Sequence, residues 1–358
     1  MKEQQKLIAD QKMQLELKQK EYAQKQYAQE MRLKEESQRI KDQQNELEKM
    51  QKLSFQKQKT IRKIEEEEEK KSEKSSLEDH YILEMGDIKI EKQIGAGGSA
   101  KVYKGIYKEI DVAVKRLDLN SIGVGKAKLE FKREVNTLNK IRHPNLVLFI
   151  GVAFDKTNFC IVTEFWFGGS LFELLHQNTE IPLSWKQKHT ICLDVAKGMS
   201  YLHNAFAKPI LHRDLKSLNL LLHHPVKEER DLISTKITDF GLSREKGMVN
   251  EMMTQNAGTF HWMAPEVMDA KPYTHKADIY SYAICLYEIL ARTTPYTGLS
   301  GAQIVNRVLS QQERPDLSLL SDDCPPKMKE IMIKWWDHNP ENRPNFEDIV
   351  KDLKEIKI

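Results

Sequence analysis

Residues 212–219 read HRDLKSLN, and twenty residues past Asn219 the chain reads DFG at Asp239–Gly241. A carboxylate, an amide and a second carboxylate in this order form a specific chemical set. Asp214 is a candidate base that orients or deprotonates a hydroxyl nucleophile. Asn219 and Asp239 offer oxygen ligands of the kind magnesium takes, and would hold metal ions that bridge the phosphates of ATP.

Three upstream features extend this reading. Residues 94–102, IGAGGSAKV, follow the alternating run Asp87-Ile88-Lys89-Ile90, a pattern that predicts a strand entering a glycine turn. Glycine lets backbone N–H groups approach phosphate oxygens, which makes Ile94, Gly95, Ala96, Gly97, Gly98, Ser99 and Ala100 the candidate phosphate cover. Gly95 and Gly97 fit the first two glycines of such a loop, Ala100 stands in the place of the third, and Gly98 is extra. Residues 112–115 read VAVK. A lysine ending an apolar strand either snorkels at the edge or needs a partner, because burying it unpaired is costly. Glu134 follows in FKREVNTLNKIRHPN (131–145), where Phe131, Val135, Leu138 and Ile141 mark one helical face. From that helix Glu134 can reach Lys115, and the pair would aim the ammonium at the α and β phosphates.

With glycine loop, VAVK, helix glutamate, HRD, DFG and APE (264–266) in order, the chain resembles the eukaryotic protein kinases over about residues 81–355. The resemblance implies an α+β, two-lobed protein kinase fold, with a β-rich N-lobe and a helical C-lobe. It implies Asp278, in HKADIYSYAICLYEIL, as a buried anchor of the catalytic-loop backbone, and Arg343, in ENRPNF, as the partner of Glu266. Lys216 is similar to the lysine with which serine/threonine kinases contact the transferring phosphate. Thr259, in GTFHWMAPE (258–266), matches the threonine those enzymes place beside the catalytic aspartate. HRDLKSLN with GTFHWMAPE resembles the tyrosine-kinase-like group, which includes the Raf and mixed-lineage kinases. The implied activity is transfer of the γ-phosphoryl group of ATP, with Mg2+, to Ser or Thr hydroxyls of protein substrates. A dual-specificity or tyrosine kinase is the alternative within the class, and a pseudokinase scaffold the alternative outside it.

The resemblance also sketches a nucleotide pocket. Thr163, in CIVTEFWFGGSL, matches the gatekeeper at the back of the adenine site. Glu164 and Trp166 match hinge positions whose backbone groups bond adenine; only the backbone of Trp166 is implicated, and a surface aromatic whose ring does nothing is the alternative. Val102, Ala113 and Leu221 match the residues that sandwich adenine. Leu138, Phe149, His212 and Phe240 match an apolar stack linking the lobes, which makes His212 a packing residue. Thr254, mid-way through NEMMTQNAG, is the regulatory phosphosite candidate, with Arg213 as the partner of its phosphate.

Composition sets limits. The chain has 358 residues and a net charge of +3, which argues against a nucleic-acid binder acting through a basic face. Cysteines at 160, 192, 285 and 324 show no CxxC or CxxH spacing, so a zinc site is not expected. Apolar surroundings predict buried thiols at Cys160, Cys192 and Cys285, in a reducing, cytoplasmic setting. No secretory signal is visible. The longest apolar run, near Tyr280–Leu290, is too short to span a bilayer and reads as a buried central helix.

Residues 1–80 contain neither Gly nor Pro and are rich in Gln, Lys and Glu, which favour helix. Glu16–Lys20, Glu21–Lys25, Glu30–Lys34 and Glu35–Arg39 are i,i+4 pairs in the favourable orientation. Residues 1–71 are read as a long charged helix. With Leu33, Ile40, Leu47 and Ile61 at position a of a heptad, Ile8, Leu15, Tyr22, Met50 and Ile64 fall at d, and the rest of the seam is polar. A self-associating coiled coil and a lone helix or disordered tail both remain open. Residues 72–80 read as a linker into the kinase domain, 81–355. Between Asn219 and Asp239, HHPVKEERDLISTKIT (223–238) is a long polar insertion expected at a surface hairpin tip, and His223 with His224 lacks the further ligands a metal site requires.

Overall fold

The computed structural model describes residues 81–97, 100–118, 123–155, 158–240, 244–245 and 260–357. The helix, heptad and linker readings of residues 1–80 lie outside them. The alternating run at Ile88 forms β1 (Ile88–Ala96), followed by β2 (Ala100–Tyr107) and β3 (Ile110–Leu117) in an antiparallel meander. With β4 (Phe149–Phe154) and β5 (Phe159–Glu164) they make a five-stranded sheet of order β1-β2-β3-β5-β4. Strand alternation sorts the side chains of β3 onto two faces. Val112 and Val114 are fully buried in a core with Leu83, Ile88, Ala153, Cys160 and Val162, while Ala113 and Lys115 share the other face.

Helix α1 (Val124–Leu138) lies between β3 and β4. Phe131, Val135 and Leu138 are buried along it. Ile141 is buried too, but it lies beyond the helix end at Leu138, in the turn that follows. The sheet edge at β4 is covered by the chain entering the domain. Ile82 bridges Val152 in parallel, and Leu83 N–H donates to the Val152 carbonyl at 2.8 Å. This close approach requires glycine at 151, where a Cβ would stand 2.6 Å from the Tyr81 carbonyl oxygen.

The second lobe is helical: α2 (Leu171–His176), α3 (Trp185–Asn204), α4 (Pro265–Met268), α5 (Lys276–Ala291), α6 (Gly301–Gln311), α7 (Pro326–Trp335) and α8 (Phe346–Glu355). Helices α2, α3 and α6 start with reciprocal capping boxes, Ser170/Glu173, Ser184/Gln187 and Ser300/Gln303. Each satisfies two orphan backbone donors, and losing such a cap costs about 1 kcal/mol. Helix α5 is the central one. Its residues Tyr282–Leu290 are all buried, as the apolar run predicts. Tyr282 donates to the Cys192 carbonyl of α3 at 2.8 Å, and its ring lies 5.7 Å from that of Trp335 on α7.

Short strands β6 (Ile210–Leu211), β7 (Leu220–Leu222), β8 (Thr235–Ile237) and β9 (Arg244–Glu245) flank the loop that carries HRDLKSLN; β6 pairs with β9 and β7 with β8. The polar insertion between β7 and β8 is on the surface, with Leu232 95% exposed. It is also tied to the start of α3. Gln187 donates to the carbonyls of Glu228 and Asp231 at 2.9 and 3.0 Å, and Val226 is buried beneath. Cys160, Cys192 and Cys285 are buried.

Candidate active site

Lys115 ends the apolar stretch of β3 on its cleft face. Its Nζ donates to Glu134 of α1 at 2.8 and 3.0 Å and to Asp239 Oδ1 at 2.7 Å. Two lobes therefore meet on one ammonium. Burial disfavours that charge, but the charges of Asp239 and Glu134 outweigh it, and the Lys115 pKa is raised. Lys115 in turn holds Asp239 ionised, with a pKa lowered to about 2. The Asp239 side chain keeps 43% of its surface exposed, and its backbone sits at φ +64, in the left-handed region that non-glycine residues seldom enter.

The loop 212–219 is fixed from below and within. Asp278, 1% exposed at the start of α5, accepts the backbone N–H groups of His212 and Arg213 at 2.9 Å each and His203 Nε2 at 2.9 Å. Burial opposes the Asp278 charge, but these donors prevail and its pKa is lowered. Arg213 adopts φ +70, and its guanidinium lies 5.4 Å from the Tyr273 ring. Asn219 Nδ2 donates to the Asp214 carbonyl at 2.8 Å and to its carboxylate at 3.1 Å. Lys216 Nζ stands 2.8 Å from Asp214 Oδ2. Burial raises the Asp214 pKa, and the Lys216 charge tempers the rise. Two neighbouring carboxylates are thus pushed in opposite directions, which is how one site holds both a proton acceptor and a permanently charged ligand.

His212 is fully buried, with its ring 5.4 Å from that of Phe240, and Nε2 against the Thr238 carbonyl. Leu138, Phe149 and Phe240 are each at most 3% exposed. On the upper side of the cleft, Ala113 pairs with Thr163, and Val102 pairs with both Lys115 and Gly95. Val102, Ala113 and Leu221 are half-buried, unlike the sealed Val112 and Val114. Ile94 is exposed at the rim. The turn closes with Gly97 N–H donating to the Ala100 carbonyl at 2.8 Å. A Cβ on Gly95 would only touch Val102 at 3.7 Å, and one on Gly97 the Ala100 oxygen at 3.9 Å. The fold itself therefore tolerates a side chain at both places. Gly98, Ser99, Thr254 and Thr259 lie outside the described residues.

The Trp166 ring is buried at 8% exposure, edge-on to His223 at 4.9 Å and 4.9 Å from Lys236 Nζ. This excludes the surface-aromatic alternative. Glu164 accepts Leu148 N–H at 2.7 Å and pairs closely with Lys236, so its carboxylate is engaged by neighbours in the chain. Sequence reasoning missed Lys236 and His203, since nothing local marks either as a partner of a residue 72 or 75 positions away. Arg343 makes a bidentate pair with Glu266 at 2.7 and 2.9 Å, with its own side chain fully buried.

A two-lobed fold with a lysine–glutamate pair above, and an HRD aspartate, an asparagine and a DFG aspartate below, defines the protein kinases. The family model for protein tyrosine and serine/threonine kinases matches residues 88–353, and the chain belongs to that family. It is 37% identical over 278 residues to serine/threonine-protein kinase STY17 of Arabidopsis thaliana, a match covering 78% of this chain and 46% of that protein. It is 38% identical over 286 residues to serine/threonine-protein kinase TNNI3K of Homo sapiens, covering 79% of this chain and 33% of the relative. Over 279 residues it is 35% identical to serine/threonine/tyrosine-protein kinase HT1 of Arabidopsis thaliana, covering 77% and 68%. The chain spans less than half the length of the first two. No described helix is long and apolar enough to cross a membrane.

Proposed function

We propose that this chain is an ATP-dependent protein kinase that transfers the γ-phosphoryl group to Ser or Thr hydroxyls of proteins. The observation that carries the reading is the convergence of Lys115 and Glu134 from one side of the cleft with Asp239, Asp214, Lys216 and Asn219 from the other. Catalysis on such a site is mainly positioning and charge stabilisation. Lys115, held by Glu134, orients the α and β phosphates. Backbone N–H groups of the glycine turn cover them, with Ala100 in place of a third glycine. The backbone of Glu164 and Trp166 bonds adenine, between Val102 and Ala113 above and Leu221 below, with Thr163 behind.

The ionised Asp239 and the amide oxygen of Asn219 suit a hard cation, and bound Mg2+ would neutralise phosphate charge there. Asp214, its proton affinity raised by burial, accepts the proton of the attacking hydroxyl. Lys216, already beside Asp214, steadies the transferring group. Phosphorylation of Thr254 is the proposed switch, acting through Arg213, and Thr254→Ala should lower activity if so. The reading further expects a cytoplasmic enzyme, with residues 1–71 as a candidate self-association segment.

Tyrosine transfer is the second reading, favoured by the serine/threonine/tyrosine name of one relative. Phosphoamino-acid analysis of a phosphorylated generic protein substrate separates the two. Phosphoserine and phosphothreonine alone support the first; substantial phosphotyrosine replaces it with dual specificity. The presence of every catalytic residue, with Ala100 the one departure, argues against a pseudokinase scaffold.

A further inference from the structure

Glu288 is a fully buried carboxylate near the end of α5 that takes no part in the chemistry above. It accepts hydrogen bonds from three separate segments. His176 Nε2, at the end of α2, lies 2.9 Å from Oε1. Ser217 Oγ, inside the catalytic loop between Lys216 and Asn219, donates to the same oxygen at 2.7 Å. Trp262 Nε1 donates to Oε2 at 2.5 Å. A carboxylate removed from water is tolerable only with its oxygens occupied in this way. Ser217 is itself fully buried and Trp262 is 4% exposed. Helix α5 holds Trp262 a second time, through Ser281 Oγ donating to its carbonyl at 2.8 Å.

The two segments that Glu288 joins face each other. Trp262, Met263 and Ala264 line a small cavity together with Arg213, Asp214 and Leu215. One wall carries the candidate base; the other leads through Ala264 into α4. We propose that Glu288 is a positioning residue for the acceptor: one rigid carboxylate sets the register between the catalytic loop and the Trp262–Ala264 wall. A protein hydroxyl resting on that wall then meets Asp214. The proposal rests on the protein-kinase reading above. It assigns Ser217 and Trp262 a shared role, although neither is part of the nucleotide site. Asp214 does not depend on Ser217 for its own place, since Asp278 and Asn219 hold the loop independently. Losing the Glu288 link should therefore spare nucleotide handling and damage acceptor handling.

The test uses the full chain as wild type, Ser217→Ala, Trp262→Phe, the double variant and Glu288→Gln. Four quantities are read: peptide phosphorylation, ATP hydrolysis to water without peptide, nucleotide Kd by titration, and amide hydrogen exchange over residues 260–266. Removing a buried hydrogen bond to a charged group should lower kcat/KM for peptide at least about tenfold in each single variant. Nucleotide Kd and hydrolysis to water should stay within about twofold. Ser217→Ala should speed exchange across 260–266, although the substitution lies in the other segment. The double variant should be little worse than the worse single one, because both changes break the same link.

Peptide transfer and hydrolysis falling in parallel with Tm would mean a role in stability alone and overturn the proposal. So would additive losses, or unchanged exchange at 260–266. Should Glu288→Gln fail to fold, Ser217→Ala and Trp262→Phe carry the comparison. A wild type that phosphorylates no peptide ends the kinase reading, while the exchange measurement still decides whether Ser217 and the Trp262 segment are linked.

Discussion

At the scale of single residues, the site separates groups by charge state. Two carboxylates, Glu134 and Asp239, hold Lys115 charged, while burial raises the proton affinity of Asp214. Their loss should therefore look different. Lys115→Met should abolish phosphoryl transfer with the fold intact, and unchanged turnover at saturating ATP would remove Lys115 from the site. Asp214→Asn should lower kcat by about 10²–10⁴-fold with ATP affinity nearly retained, because the role proposed for this residue is on the hydroxyl and not on the nucleotide. A collapse of ATP binding in Asp214→Asn would reverse the assignment.

The thiols give a pH-dependent check. Burial pushes Cys160 up to about 11 and Cys192 up to about 12. An unfolded thiol ionises near pH ~8.5, so the native state keeps protons that the unfolded state releases. Stability from these groups is full below that pH and is lost as pH rises toward 11 and 12. At pH 8 the folded chain should resist iodoacetamide at both positions, while the denatured chain reacts at both. Equal rates in the two states would contradict the burial.

Elements are locked by a few long-range polar contacts rather than by propensity. The Arg343–Glu266 pair joins the turn before α8 to the APE segment, with both side chains nearly sealed. Arg343→Ala leaves a buried carboxylate without its partner and should destabilise the domain by about 3–5 kcal/mol in chemical denaturation. An unchanged midpoint would show that the pair is dispensable. This contact and the Asp278 anchor were legible in the sequence, because each belongs to a motif with a known counterpart. The Glu288 junction was not. Ser217, Trp262 and Glu288 lie 45 and 26 positions apart, and no periodicity connects a serine, an indole and a carboxylate. The Trp166 ring was equally opaque: its burial depends on His223 and Lys236 folding back from the β7–β8 region. The segment Tyr81–Leu83 reads as a domain entry in sequence, yet it completes the β4 edge and contributes Leu83 to the core. Edge pairing of this kind leaves only one local trace, a glycine at 151.

For the whole molecule, the composition change near residue 80 separates two materials. Deleting residues 1–75 should leave a folded, active domain, since every motif of the site and the strand pairing at Ile82–Leu83 lie beyond that change. If residues 1–71 pair, deletion should also lower the sedimentation mass and slow autophosphorylation between molecules. A full-length chain that sediments as a monomer at micromolar concentration would end the pairing idea without touching the kinase reading. The order of the motifs made the two-lobed architecture readable from sequence, because a lysine, a glutamate and two aspartates so far apart along the chain converge only in that fold.

The measurement that tests the central claim most directly is label transfer from ATP to a generic basic protein, run in parallel with ATP labelled at the γ or the α phosphorus, for wild type and Asp214→Asn. The account predicts covalent label on protein serine or threonine from γ-labelled ATP only, lost in Asp214→Asn while that variant still binds nucleotide. Absence of protein label with the wild type, or equal labelling by Asp214→Asn, would contradict it.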